Sequence, residues 1–219
     1  MSKFRMTDKF IRARNSAQKT ERRQQILIAA RQVALKDGLD ALTLAGIAAE
    51  TGITKSAFYR YFRSKEEILA WLLMGEAALM AQDMRNHMAG CKNIVEAADR
   101  YVSLCVAKPM FCRLVSEMAT NLEQNIAQEP IIAIKKESAR QLEEWRQILL
   151  ELGIVSDPMQ AVHFVRTAYV ILAGLWPVTN RNEDARQASQ EAGLGHSFTS
   201  FEDEFRLILV TYARGLMAA

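Results

Sequence analysis

TLAGIAAETGITKSAFYRYF, residues Thr43–Phe62, decides how the rest of the chain is read. Its apolar residues fall at fixed offsets. Leu44, Ile47 and Ala48 share one side of a short helix, Gly52 breaks it, and Ile53, Phe58 and Phe62 resume the buried side. Two helices meeting at a steep angle need a small residue where they touch, which Ala48 supplies. The tight turn between them needs positive φ, which Gly52 supplies. The second helix then exposes Lys55, Ser56, Tyr59, Arg60 and Tyr61. Short or basic donors with aromatic hydroxyls suit a helix laid into a DNA major groove, its first turns towards the bases and its flanks towards phosphates. The competing reading is a plain helical hairpin with a solvated basic face, but the small, glycine, apolar and donor positions all agree on the first.

The flanks extend the pattern. In ERRQQILIAARQVALKDG, Ile26, Ala30, Val33 and Ala34 form an inward stripe on a helix starting near Thr20, and Gly38 ends it as a C′ residue. Thr43 stands where an N-cap would close the next helix. Ser64 with Glu67 reads as a capping box opening a fourth helix, whose first residue, Lys65, can face phosphate. From Thr43 through Gly52–Ser56 and Phe58–Phe62 to Ser64–Leu69, the sequence resembles the DNA-binding domain of TetR-type transcriptional regulators. The resemblance covers about residues 19–70. It implies an all-α fold in which an N-terminal three-helix helix-turn-helix domain is joined by a long helix to a C-terminal helical ligand-binding and dimerisation domain. It also implies a phosphate contact from Thr43. Ala57 departs from the pattern, since many members carry a hydroxyl or glycine there, so this position is read as packing.

Charge supports the division. Residues 1–66 hold 14 Lys/Arg against 6 Asp/Glu, a balance of +8, while the remaining 153 residues stand at −5. A basic first third is what phosphate neutralisation requires. The expected organisation is a flexible basic arm over 1–18, the helix-turn-helix domain over 19–66 and the ligand and dimer domain over 67–219. The arm, with Lys3, Arg5, Lys9, Arg12 and Arg14, either reaches DNA or only adds solubility. The expected DNA contacts are Lys55, Ser56 and Arg60 at base edges, with Thr43, Thr54, Tyr59 and Lys65 at phosphates or caps. Tyr61 either joins the phosphate set or packs inward.

Beyond residue 64 the chain is expected to be helical over about 65–88, 93–107, 109–126, 131–152, 158–178 and 199–217. Pro109, Pro130 and Pro158 sit near helix starts, and Thr179–Ser197 reads as a loop. The helix AVHFVRTAYVILAGLWPV is apolar on nearly every face, and FEDEFRLILVTYARGL carries a dense apolar stripe. Phe164, Tyr169, Phe201, Phe205, Ile208, Leu209 and Tyr212 are therefore expected at a homodimer interface, whose twofold axis would match a palindromic double-stranded operator. The effector pocket is expected among Tyr101, Cys105, Met110, Phe111, Met118, Trp145, His163, Phe164, Tyr169 and Trp176, with plain core as the competing role for each.

The longest unbroken apolar run, Ala168–Val178, is too short to cross a bilayer, and the N-terminus has no apolar signal core. A cytoplasmic protein without a membrane partner is expected. No cofactor or metal site is expected. Cys91, Cys105 and Cys112 form no CxxC pair and have no histidine at ligand spacing. No phosphate loop, HExxH or nucleophile turn suggests an enzyme. The expected function is a repressor released from its operator by a small apolar or amphipathic ligand. A redox-gated regulator using Cys105 and Cys112, and a DNA-binding protein without any ligand, stand as alternatives.

Overall fold

The structure is a computed structural model, describing the backbone of residues 3–194 and 200–218 and their side chains apart from those of 3–16 and Lys55. Ten α-helices follow in order among the described residues: α1 Lys3–Asp37, α2 Leu44–Glu50, α3 Lys55–Phe58, α4 Lys65–His87, α5 Ile94–Val106, α6 Pro109–Glu117, α7 Gln128–Glu151, α8 Pro158–Thr179, α9 Glu183–Glu191 and α10 Phe201–Ala218. No strand occurs among them. The chain divides into two compact units, Met1–Leu72 and Leu73–Ala219, so the division falls inside α4.

In the first unit α1 packs on α2, and α2 on α3. The core gathers Ile26, Ala30, Leu42, Ile47, Phe58, Phe62 and Ile68, all nearly inaccessible to solvent. Each such large side chain contributes about 1.5–3 kcal/mol by leaving water. Gly52 takes φ 65°, the left-handed turn that its position demands. Where the sequence reading starts the first helix near Thr20, α1 begins at Lys3. KFRMTDKFIRARNSAQ holds neither glycine nor proline, so nothing in it stops the helix from continuing towards the N-terminus.

The second unit is a bundle in which α5 packs on α10, α6 on α8, and α8 on both α7 and α10. Its helices start where local chemistry allows. Asn93 Oδ1 accepts from the N–H groups of Val95 and Glu96, both at 3.0 Å. Asp157 Oδ1 accepts from Met159 N at 2.9 Å, and Pro109 and Pro158 fill first positions that need no N–H. An aromatic ladder ties the elements together. Trp145 meets Tyr101 at 6.1 Å between ring centroids, Tyr101 meets Phe205 at 6.2 Å, Phe205 meets Phe201 at 5.3 Å, and Phe201 meets Trp176 at 4.9 Å.

Three elements differ from expectation. The helix expected over 109–126 ends as α6 at Glu117. A π-helical turn, Met118–Leu122, and a 3₁₀ turn, Glu123–Asn125, follow it. Within Thr179–Ser197, read as a loop, lies α9. Asn182 caps it by accepting from Ala185 N at 2.9 Å, and Glu183 and Asp184 favour its N-terminal dipole. It buries none of its residues, so no apolar periodicity announces it. Third, Phe164, Phe205 and Leu209 are expected between subunits but are fully buried within one chain. The stripe of α10 that carries Phe205 and Leu209 faces α5 and closes this chain's own core.

By length and composition α8 suffices to cross a membrane, with mean hydropathy 1.4 over its most apolar window. The average tolerates His163 and Arg166, which break the uninterrupted runs counted in the sequence. That window is 39% buried within the chain.

Candidate nucleic-acid interface and effector cavity

The reading turn is held by bonds of short sequence range. Thr43 Oγ1 accepts from Gly46 N at 3.0 Å and caps α2; Thr54 Oγ1 accepts from Ala57 N at 3.3 Å and caps α3. Thr54 and Ser56 hydroxyls lie 3.3 Å apart. Thr43, Thr54, Ser56, Tyr59 and Arg60 are exposed, and Tyr61 and Lys65 are half-buried. The side chain of Lys55 lies outside the described residues. The reading helix is shorter than expected. After Phe58 the backbone tightens, with Arg60 N donating to Ala57 O and Tyr61 N to Phe58 O, because Phe58 and Phe62 both insert into the core. Arg60 therefore stands on a turn beyond α3 rather than in its second helical turn.

Arg60 and Tyr61 line an open groove of about 540 Å³ together with Gln18, Lys19 and Arg22 of α1. Three cations on one groove suit phosphates. Sequence reading missed Lys19 and Arg22. Their partner lies some 40 positions away, and only the folded α1 brings them to it.

Behind the turn, Arg23 performs several jobs at once. Its Nη1 donates to Tyr61 O, and its guanidinium lies 3.4 Å from Glu67 and 4.2 Å above the centre of the Phe62 ring. Glu67, almost fully buried, also accepts from Arg63 N at 2.9 Å, while its own N–H donates to Ser64 Oγ at 3.2 Å. The expected Ser64–Glu67 box thus exists, with its carboxylate reaching Arg63 N. Arg23 is a positioning residue: it fixes the carbonyl of Tyr61 and so the end of the reading turn.

The second unit contains a cavity of about 100 Å³. Of the expected pocket residues, Phe111, Met118, Trp145 and Tyr169 line it. Six do not. Tyr101 and Phe164 are core, with Tyr101 behind Trp145, and Met110 is half-buried elsewhere. Trp176 packs edge-to-face against Phe201, and His163 is exposed on α8. Cys105 is buried beside Cys112, whose Sγ donates to Cys105 O at 3.2 Å. Burial pushes the Cys112 thiol far above its ordinary range, as it does the Tyr101 hydroxyl. A thiol held protonated is a poor nucleophile, which weighs against redox gating.

Sequence reading missed the cavity's α4 wall, Leu73, Met74 and Ala77, and its α7 side, Lys135, Ser138 and Gln141. Gln141 is buried, its Nε2 donating to Met74 O at 2.7 Å and Glu137 Oε1 at 3.0 Å. Lys135 and Glu123 form an ion pair at 2.6 Å on the wall. The π-helical turn begins at Met118, which lines the cavity.

A helix-turn-helix unit with a basic groove, continued by a helical bundle holding a cavity, defines a DNA-binding regulator with a second helical domain. Comparison identifies the family. Residues 26–72 match the profile of bacterial regulatory proteins of the tetR family, and residues 65–219 match the tetracyclin repressor-like C-terminal domain. The chain belongs to the TetR family of transcriptional regulators, which are DNA-binding proteins and not enzymes. Solved structures share the fold. A TetR-family regulator from Pectobacterium atrosepticum aligns with TM-score 0.59 at 18% identity, covering 91% of this chain and 96% of its own. FadR of Thermus thermophilus, a repressor solved in complex with lauroyl-CoA, aligns at 0.55 and 16%, covering 86% and 93%. A TetR regulator from Rhodococcus sp. RHA1 aligns at 0.53 and 14%, covering 87% and 94%. Comparison with curated proteins gives no match.

Proposed function

We propose that this chain is a homodimeric repressor that binds a palindromic operator through Thr43, Thr54, Lys55, Ser56, Tyr59, Arg60, Tyr61 and Lys65. A small ligand in the second unit would release it. The observation that carries this reading is the basic groove uniting Lys19 and Arg22 with Arg60 and Tyr61 of the reading turn. Base contacts fall to Ser56 and Arg60, with Lys55 placed among them by its position at the start of α3. Lys19, Arg22 and Tyr61 neutralise or bond phosphates, which positions the protein without selecting sequence.

A second copy would cover what one chain leaves open. On α8, Val170 is 66% exposed; on α10, Leu207 is 65% and Ile208 40% exposed. Gly174 and Gly215 lie on the exposed sides of the same two helices, and a Cβ at either would meet nothing within 4 Å. Glycine inside a helix costs about 1 kcal/mol against alanine. Nothing within the chain requires it there, whereas close approach of a partner helix would. Pairing α8 and α10 with their copies would bury this face, keeping the expected Ile208 and replacing Phe164, Phe205 and Leu209 by Val170, Gly174, Leu207 and Gly215.

Release needs only a differential affinity of about 1.4 kcal/mol per decade of operator binding lost. The α4 residues of the cavity, Leu73, Met74 and Ala77, continue along one helix to Lys65. A ligand displacing them would move a phosphate contact by shifting the helix as a body.

The test is selection of bound duplexes from a random pool, followed by anisotropy titration. Recovery of an inverted repeat bound by one dimer supports the reading. Equal affinity for every duplex would leave only non-specific charge attraction and overturn it.

A further inference from the structure

Resting on the reading of the second unit as an effector domain, we infer that its cavity takes a short-chain carboxylate, which enters tail first between Glu123 and Lys135. The ligand's carboxylate replaces that of Glu123 on the Lys135 ammonium, and its apolar tail fills the cavity.

Two hollows meet at this ion pair. The cavity of about 100 Å³ lies on one side, and an open groove of about 470 Å³, lined by Ile131, Ile132, Lys136 and Ala139 of α7, lies on the other. Glu123 and Lys135 are the two residues that line both, and their charges approach to 2.6 Å. The pair therefore stands at the mouth of the cavity. Its side chains are 46% and 55% exposed, and ion pairs so well solvated hold weakly, so this one parts readily.

Charge and size narrow the class. The residues that α4 and α6 give the cavity, among them Leu73, Met74, Phe111 and Val115, are all apolar, so a charged group stays at the mouth and an apolar one goes in. In the groove Lys135 and Lys136 face the single carboxylate of Glu123, two cations against one anion, which favours an anionic head group over a cationic one. Burial first, and the Glu123 charge second, raise the Tyr169 phenol above its ordinary range, so this carboxylate acts on the cavity's lining as well as on the groove. A water-sized group takes about 30 Å³ in a liquid, so about 100 Å³ holds a tail of about three carbons.

The test is a homologous series, acetate to octanoate, titrated at constant ionic strength into the ¹⁵N-labelled full chain, with butanamide and butylammonium as neutral and cationic counterparts. The indole resonance of Trp145, which lines the cavity, reports binding. Affinity should rise about fourfold for each methylene from acetate to butanoate and level off beyond pentanoate, when the cavity is full. Butanoate should bind about two- to fivefold tighter than butanamide. Lys135→Met should erase that preference, whereas Glu123→Gln, which removes the competing carboxylate, should strengthen butanoate binding by a similar factor. Equal binding of butanoate and butanamide, tightest binding by butylammonium, or a methylene increment that continues undiminished to octanoate would each overturn the inference. So would a Trp145 resonance unmoved up to the solubility limit. The series and the head-group comparison need only the native chain, so they decide even where a variant fails to fold. Operator affinity of the same samples separates the two readings. Absence of sequence-specific DNA binding, with the tail and head-group preferences intact, would sink the repressor and leave the site, and the reverse would leave the repressor.

Discussion

The two units solve opposite problems with their polar groups. In residues 1–72 hydroxyls and carboxylates are tied to backbone three or four positions away, as Thr43 is to Gly46, Thr54 to Ala57 and Ser64 to Glu67. Local ties make a rigid turn that displays side chains outwards. In residues 73–219 the cavity gathers positions as distant as 73, 111, 145 and 169. A site for a long, uniform polymer can be built from a short motif. A site for a small molecule needs walls from several helices.

The strongest way to break the comparison is to remove a long-range tie from each unit's core. Phe205→Ala should cost about 3–5 kcal/mol, because the ring touches both Tyr101 and Phe201 in a closed core. Arg23→Ala should cost about 3 kcal/mol by leaving Glu67 buried without its cation. Urea titrations followed by circular dichroism measure both, with the first lowering the second unit's transition and the second lowering that of residues 1–72. If Arg23→Ala unfolds like the native chain, the reading turn is held by its local caps alone.

Assembly gives the next effect. Val170→Glu with Leu207→Glu places charges on a face the single chain leaves exposed, so helicity and thermal midpoint of the monomer should stay unchanged. Self-association, read by sedimentation equilibrium, should weaken more than a hundredfold, about 2.7 kcal/mol. A dimer unchanged by both substitutions would move the interface to another surface.

How much of this was legible in the sequence follows from the same contrast. The reading turn announces itself because its small, glycine, capping and aromatic positions act within twenty residues. Its short α3 and the cations contributed by α1 do not, since they depend on Phe58 and Phe62 anchoring a turn against a helix formed far upstream. In the second unit helix positions follow from apolar periodicity. Which apolar face meets which does not, so Phe205 and Leu209 read as interface although they close the core. Four pocket residues, Phe111, Met118, Trp145 and Tyr169, were picked from ten because aromatic and methionine side chains also make ordinary core. Lys135, Ser138 and Gln141 carried no signal at all, being polar residues on a helix otherwise laced with ion pairs.

A smaller effect concerns alkaline pH. The Cys112 thiol, raised by burial, keeps its proton in the folded chain when an unfolded thiol loses its own near pH 8.5. Above that pH the folded state binds more protons, so stability falls as pH rises, by up to about 1.4 kcal/mol per unit from this group. Urea midpoints at pH 7.5 and 9.5 check the slope, which Cys112→Ala should reduce. A slope of the opposite sign would mean that the thiolate is stabilised in the fold and would revive redox chemistry.

The central claim is that the reading turn selects sequence while the α1 side of the groove only supplies charge. The direct measurement is the operator affinity of Arg60→Ala and Arg22→Ala across a range of KCl, each against the selected duplex and a scrambled one. Arg60→Ala should lose about 1–3 kcal/mol on the operator and much of its preference over the scrambled duplex. Arg22→Ala should keep that preference and reduce the salt slope by about 1. An Arg60→Ala protein that discriminates as well as the native chain would contradict the assignment of the reading turn.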